Sequence, residues 1–275
     1  MAFEVYPSAR QKNNRKGVVL TLKHILLIVP ISIIMVGCSS MGIMDMNERI
    51  IEDAVFMDED ILVQNDNIFG LTIIGFKDNY DIIYAPSGPL TLDKAGVKYP
   101  FRYIINGSYF EGSRVHAGWL SVFGDQHTPL KVDRQLTHMA ILDTSLTYLD
   151  FPDLELWNEN MTNEKAIEFQ TGPLVIYNSG VDTLSIQASI NGTGTHLRTL
   201  LATTREDGFT YFIITREPCR LNELGDYLLS MDVFSGKTLD VMNLDGGSST
   251  ALYSRNHPEL NFNTRRALPL FLGIL

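Results

Sequence analysis

Asp245-Gly246-Gly247-Ser248-Ser249-Thr250 follows an apolar run that ends at Leu244. A carboxylate, two glycines and three hydroxyls in that order suit several kinds of chemistry. Asp245 can act as a general acid or base, hold a cation, or orient a sugar hydroxyl. Gly246 and Gly247 can take positive φ and let a ligand approach the main chain. Successive N–H groups up to Ser248 can face an anion as a nest. The plain alternative is a tight turn in which Asp245 caps backbone N–H groups.

Two further stretches share this plan. "INGSYFEGS", residues 105–113, places Asn106 and Gly107 at the end of an apolar run, with Tyr109, Phe110 and Glu111 just beyond. Asn106 offers both donor and acceptor; its alternative is an Asn-Gly hairpin turn. "QTGPLVI", residues 170–176, puts Thr171 and Gly172 in a small-residue turn before a strand. Arg198 opens another apolar run, and its fork of N–H donors matches phosphate, or else a surface carboxylate. His196 lies two residues earlier, so in an extended segment both side chains share a face. No His/Cys spacing resembles a zinc site. The residues demand no cofactor, although a divalent cation on Asp245 is compatible with them.

The elements that must position these residues are mostly strands. β-branched and aromatic content predicts strands over 61–64, 70–76, 80–85, 103–106, 138–142, 174–177, 197–204 and 210–215. A short helix is expected within 89–97. Leu221, Leu224, Leu228 and Met231 recur at helical spacing, predicting a helix over 221–236 with Gly236 as its terminator. The strand at 239–244 then delivers Asp245, so 210–244 reads as a β-α-β unit with a right-handed crossover. The fold class expected is α+β: a single domain over 60–275 with a mixed, strand-rich sheet and few helices.

The N-terminal segment reads differently. Arg10, Lys12, Arg15, Lys16 and Lys23 precede the apolar run 25–37, which stops at Cys38. A basic region, a run too short to span a bilayer and a small residue before cysteine predict a lipoprotein signal peptide over 1–37. Cys38 is then the lipidated residue and 38–59 a tether. Cleavage there leaves 17 basic against 31 acidic residues, a formal net charge of −14 where the whole chain has −10. So acidic a domain repels nucleic acid, and membrane contact falls to the lipid anchor. The expected location is a bacterial cell envelope, outside the cytoplasm. Only Cys219 remains besides Cys38, so packing rather than disulfides must hold the domain. Sequons at Asn106, Asn160 and Asn191 carry no weight in such a setting.

The order of N-G-x-Y-F, T-G-P-L-V, R-T, E-L and N-L-D-G-G-S-S resembles the phosphodiester glycosidase family over roughly residues 60–275. The resemblance implies hydrolysis of a sugar-1-phosphodiester, in a glycan or glycopolymer, at the glycosidic carbon. Phosphate is already a good leaving group, so charge stabilisation matters more than acid assistance. On that reading Asp245 is the carboxylate serving the sugar carbon or its attacking water, and Glu111 is the reserve. Arg198 and the N–H groups of Gly246, Gly247 and Ser248 hold phosphate, with His196 as a further ligand. Asn106 and Asn243 orient hydroxyls, and Gly107, Thr171 and Gly172 shape the substrate site. The competing reading is a lipoprotein that binds phosphoglycan without cutting it, or an accessory of polysaccharide export.

Overall fold

The computed structural model describes residues 4–5, 54–58, 61–77, 80–112, 114–143, 146–150, 164–263 and 265–275. Cys38, Asn160, most of the leader and most of the tether lie outside them. Nineteen strands are described, and they form three sheets.

The eight-stranded sheet contains β2 (Ala54–Asp58), β3 (Ile61–Asp66), β4 (Leu71–Phe76), β12 (Leu174–Tyr177), β13 (Gly180–Val181), β14 (Thr199–Thr204), β15 (Thr210–Thr215) and β16 (Leu239–Asn243). Its order is β13-β12-β16-β14-β15-β4-β3-β2. The six-stranded sheet runs β1-β5-β19-β6-β17-β18. Its members are β1 (Glu4–Val5), β5 (Tyr80–Tyr84), β6 (Tyr103–Asn106), β17 (Ala251–Ser254), β18 (Phe262–Asn263) and β19 (Leu270–Ile274). The five-stranded sheet runs β10-β9-β11-β7-β8. It comprises β7 (Leu120–Val122), β8 (Asp125–Thr128), β9 (His138–Leu142), β10 (Leu146–Asp150) and β11 (Ile167–Thr171).

Alternation along the strands explains this layering. In β15, Phe212 and Ile214 point into a core shared by all three sheets, while Tyr211 and Ile213 point to the opposite face. There they meet Leu221, Leu224 and Leu228 of the amphipathic helix α3 (Leu221–Ser230), with Ile186 of α2 (Thr183–Ala188) beside them. β19 divides in the same way. Leu270, Leu272 and Ile274 enter the shared core, and Phe271 packs with Leu92 and Ala95 of α1 (Leu92–Lys98). A strand covered on both faces reads as a continuous apolar run. Each such side chain contributes about 1.5–3 kcal/mol on burial.

The α+β expectation holds, with strands dominant and helices few. In detail the strands divide among three sheets, and each described ladder is antiparallel. β15 and β16 both pair with β14, so they run parallel to each other with one strand between them. That is the β-α-β unit expected over 210–244. One detail differs. α3 stops at Ser230, where Met231 turns extended (φ −79, ψ 138), and Gly236 (φ 71) falls in a later turn.

Among the described strands the chain changes sheet five times, after β1, β4, β6, β11 and β16, and the last three changes concern the motifs. β6 leaves the six-stranded sheet for the five-stranded one, β11 leads from there to the eight-stranded sheet, and β16 leads back to the six-stranded sheet. The segments at those exits are Asn106-Gly107, Gly172-Pro173 and Asp245-Gly246-Gly247. The motifs singled out by composition are therefore three of the crossings between sheets, and hydrogen bonds among them bring them together.

Candidate active site

Asn106 joins two of the crossings. Its Nδ2 donates to the Asp245 carbonyl at 2.7 Å and to the Gly107 carbonyl at 3.1 Å. Its Oδ1 accepts from Thr199 Oγ1 at 2.8 Å and from the Ala251 N–H at 3.0 Å. The residue is buried, and both ends of the amide are occupied by protein. Asn106 is therefore a clamp that fixes the main chain at Asp245, not a ligand for a sugar hydroxyl, and Asn106-Gly107 is no hairpin. Gly107 serves packing. A Cβ there would lie 2.6 Å from Leu270 Cγ, so its lack of a side chain lets β19 approach.

The second crossing supports the third. Thr171 Oγ1 donates to the Asn243 carbonyl at 2.8 Å, and the Gly172 N–H donates to the same oxygen at 3.2 Å. The Gly172 carbonyl accepts from Tyr109 Oη at 2.9 Å and from Asn243 Nδ2 at 3.1 Å. Asn243 Nδ2 also lies 2.8 Å from Tyr109 Oη. Thr171 and Gly172 thus hold the end of β16 in place, and their polar atoms are turned to protein. Asn243 Oδ1 and Thr250 Oγ1 are buried without a protein partner. Such atoms are rare in native proteins and mark a place to look for function.

Asp245 stands half-buried beyond β16. Burial pushes its carboxyl up to about 6, while the Ser249 hydroxyl, the Arg266 charge and the Gly246 N–H act in the opposite direction. A carboxyl that titrates there can exchange protons near neutral pH. Burial also raises the Tyr109 phenol, and the Asp245 charge raises it further. Arg198 and the hydrogen bond from Asn243 pull it back. Asn243, Arg198 and Asp245 thus all act on Tyr109.

The paired glycines have a packing role. A Cβ on Gly246 would lie 2.6 Å from the Leu197 carbonyl oxygen. The Gly247 N–H donates to that same oxygen at 2.8 Å, and Gly247 takes φ 59, a left-handed value that favours glycine. The expected anion nest is corrected here: the Gly247 N–H is already used, and the glycines seat the crossing against the start of β14. Ser248 is exposed, and its Oγ accepts from Arg266 Nη1 at 2.6 Å.

Arg198 is only 2% exposed. Its Nε donates to the Cys219 carbonyl at 3.3 Å, its Nη1 and Nη2 to the Asn191 carbonyl at 3.3 Å, and its Nη2 also to the Gly194 carbonyl. Among the described residues no carboxylate pairs with it. Arg198 therefore holds the 191–194 loop while contributing a buried positive charge; its fork is occupied, contrary to the expected phosphate clamp. His196 is exposed, pairs its main chain with Cys219, and does not share the buried surroundings of Arg198. Glu111 is exposed and pairs with Lys131 at 2.8 Å. His116 is buried, with Nε2 at 3.0 Å from the Trp119 carbonyl, and burial lowers it to about 4.

Arg266 escaped the sequence reading. It follows a turn near the C-terminus, where a basic pair in an acidic chain was the available signal. Its Cζ sits 4.8 Å from the centre of the Phe110 ring. Among the described residues, no group of three or more His, Cys, Asp or Glu side chains is placed to hold a metal ion. No helix there is long and apolar enough to cross a membrane.

Comparisons with known proteins bear on this arrangement. The structure resembles the catalytic domain of zebrafish N-acetylglucosamine-1-phosphodiester alpha-N-acetylglucosaminidase, auto-inhibited by its pro-peptide, with a TM-score of 0.55 and 14% identity over 81% of each chain. It also resembles a hypothetical protein from Synechocystis, with a TM-score of 0.51 and 10% identity over 81% of this chain and 61% of that one. These likenesses concern the fold. No curated protein matches the sequence. The family model for phosphodiester glycosidase matches residues 100–275, a span that contains Asn106, Thr171, Arg198, Asn243, Asp245 and Arg266. The chain belongs to the phosphodiester glycosidase family.

Proposed function

We propose that the protein hydrolyses the glycosidic bond of a sugar-1-phosphodiester. The observation that carries this reading is the Asp245 carboxyl, raised to about 6 and fixed through its own carbonyl by Asn106. In the reaction the bond between the sugar carbon and the phosphate oxygen breaks, and its electron pair leaves with the phosphate monoester. Water adds to the sugar carbon, and ionised Asp245 takes the proton that the water releases, then returns it to solvent. Phosphate leaves readily, so one carboxylate serving water and the developing oxocarbenium charge is sufficient. Arg198 supports an anionic substrate, because its buried charge has no carboxylate partner among the described residues.

The test is release of free sugar from a chromogenic or radiolabelled sugar-1-phosphodiester by the purified protein. Hydrolysis of neutral aryl glycosides with no action on any phosphodiester would overturn the reading. A molecule that binds phosphoglycan without cutting it would do neither.

The same reading places the protein in a bacterial cell envelope, anchored by lipid on Cys38. Support comes from the basic stretch, the apolar run 25–37 and the cysteine that ends it. Cys38→Ala should abolish incorporation of labelled lipid; undiminished labelling would remove Cys38 from the proposal.

A further inference from the structure

We infer that Arg266 is the residue that grips the substrate phosphate, and that Ser248 and Phe110 form the dock that aims it. The inference rests on the phosphodiester reading above and adds a contact that neither motif nor family match assigns.

Three observations carry it. Arg266 is exposed, yet it is held at two points, by the Ser248 hydroxyl at 2.6 Å and by the face of Phe110 at 4.8 Å. An exposed arginine that is fixed forfeits side-chain freedom. Stacking on an aromatic ring offsets part of that loss. Second, the Ser248 that holds it lies three residues after Asp245, and the Arg266 charge acts on that carboxyl. Third, among the described residues no carboxylate pairs with it, although the chain carries a formal net charge of −10.

A guanidinium has five N–H donors. One on Arg266 is given to Ser248, and four remain for an incoming anion. Arg198 offers the opposite case, being buried with its donors turned to carbonyls. The two arginines therefore divide the work. Arg198 holds the 191–194 loop and lends the site positive potential. Arg266, at the surface, presents a planar fork that matches two phosphate oxygens. As the sugar–oxygen bond breaks, charge grows on those oxygens, so the contact strengthens toward the transition state.

The test compares Arg266→Ala, Arg266→Lys and Ser248→Ala in the full chain. Titration with inorganic phosphate, followed by NMR or calorimetry, should show Kd rising about tenfold or more in Arg266→Ala, and less in Ser248→Ala. For a sugar-1-phosphodiester, kcat/KM should fall on the order of 10²-fold, the usual cost of losing one preorganised donor. The ratio of kcat/KM for that diester to kcat/KM for the neutral aryl glycoside of the same sugar should fall at least tenfold. Arg266→Lys should recover part of the phosphate affinity and little of the diester rate, because it keeps charge without the fork. Unchanged phosphate affinity in Arg266→Ala would overturn the inference. Equal losses on diester and neutral glycoside would overturn it too, since Arg266 would then act only through Asp245. If the wild-type protein cleaves no phosphodiester, the function reading fails, and the phosphate titration still decides Arg266.

Discussion

Asp245→Asn separates a chemical carboxylate from a turn cap. The folded protein holds the Asp245 carboxyl at about 6, against 3.8 for a solvated aspartate. That difference corresponds to about 3 kcal/mol of ionisation made harder by folding. Because the folded value is raised, the contribution of this group to stability is fully present below pH 3.8 and is lost as pH rises through about 6. Asparagine keeps the size and the acceptor without the charge, so it escapes that loss. Asp245→Asn should therefore melt with the wild type near pH 4 and several degrees above it at pH 8. The figure of about 3 kcal/mol is an upper bound, since solvent screens a half-buried group. Thermal melts at the two pH values read the difference. Turnover on a sugar-1-phosphodiester should fall on the order of 10²–10⁴-fold, the range for losing a general base. Wild-type kcat/KM should rise with pH through about 6, as the carboxylate ionises. An active Asp245→Asn protein with unaltered pH dependence would reduce Asp245 to a cap, since Asn and Asp cap comparably.

Asn106→Ala should cost at least about 3 kcal/mol in denaturant unfolding, because it strands the Ala251 N–H and the Asp245 carbonyl in the interior. Its turnover should fall as well, and wild-type stability in that variant would refute the clamp. Arg198→Lys cannot reach the Cys219, Asn191 and Gly194 carbonyls together. It should melt lower, open the 191–194 loop to limited proteolysis, and lose about tenfold or more in kcat/KM; an intact, protease-resistant loop would refute that role. Glu111→Gln removes only an exposed pair with Lys131 and should leave turnover and melting unchanged, within about 0.5 kcal/mol. A large loss of turnover would return Glu111 to the site.

Local pattern carried much of the fold. The strands at 71–76 and 210–215 are legible because covering both faces demands apolar runs, the strand at 61–66 by its alternation, and α3 because it lies on a sheet with one apolar side. Other strands left no such mark. β8, Asp125–Thr128, is an edge strand whose first two side chains are exposed, and β18 has only two residues. The division into three sheets was hidden for a different reason. Antiparallel partners such as β4 and β15, or β5 and β19, lie more than a hundred residues apart, and no single-chain pattern names them. At the site, residue types were legible and roles were not. Asn106, Thr171 and Arg198 carry the polar groups that substrate binding would want, yet the fold occupies those groups with its own carbonyls and hydroxyls.

That occupation suggests how to separate scaffold from chemistry where a chain passes between sheets. A crossing leaves main-chain donors and acceptors without ladder partners, and buried ones must be satisfied by side chains. Asparagine meets this need because one planar amide both gives and accepts. At position 106 it answers the Asp245 carbonyl with Nδ2 and the Ala251 N–H with Oδ1. Aspartate could not donate to that carbonyl and would carry a charge into the interior. Thr171 and Gly172 do the same for the end of β16. Such residues are as necessary as any catalytic group, but their hydrogen-bonding capacity is spent. Near the third crossing the atoms with capacity left include the Asp245 carboxyl, Asn243 Oδ1, Thr250 Oγ1 and the outer donors of Arg266. They combine a carboxyl raised toward neutrality with a guanidinium that no carboxylate pairs with among the described residues. Arg266 favours the ionised form of Asp245, while donors beyond the one given to Ser248 stay open to an anion.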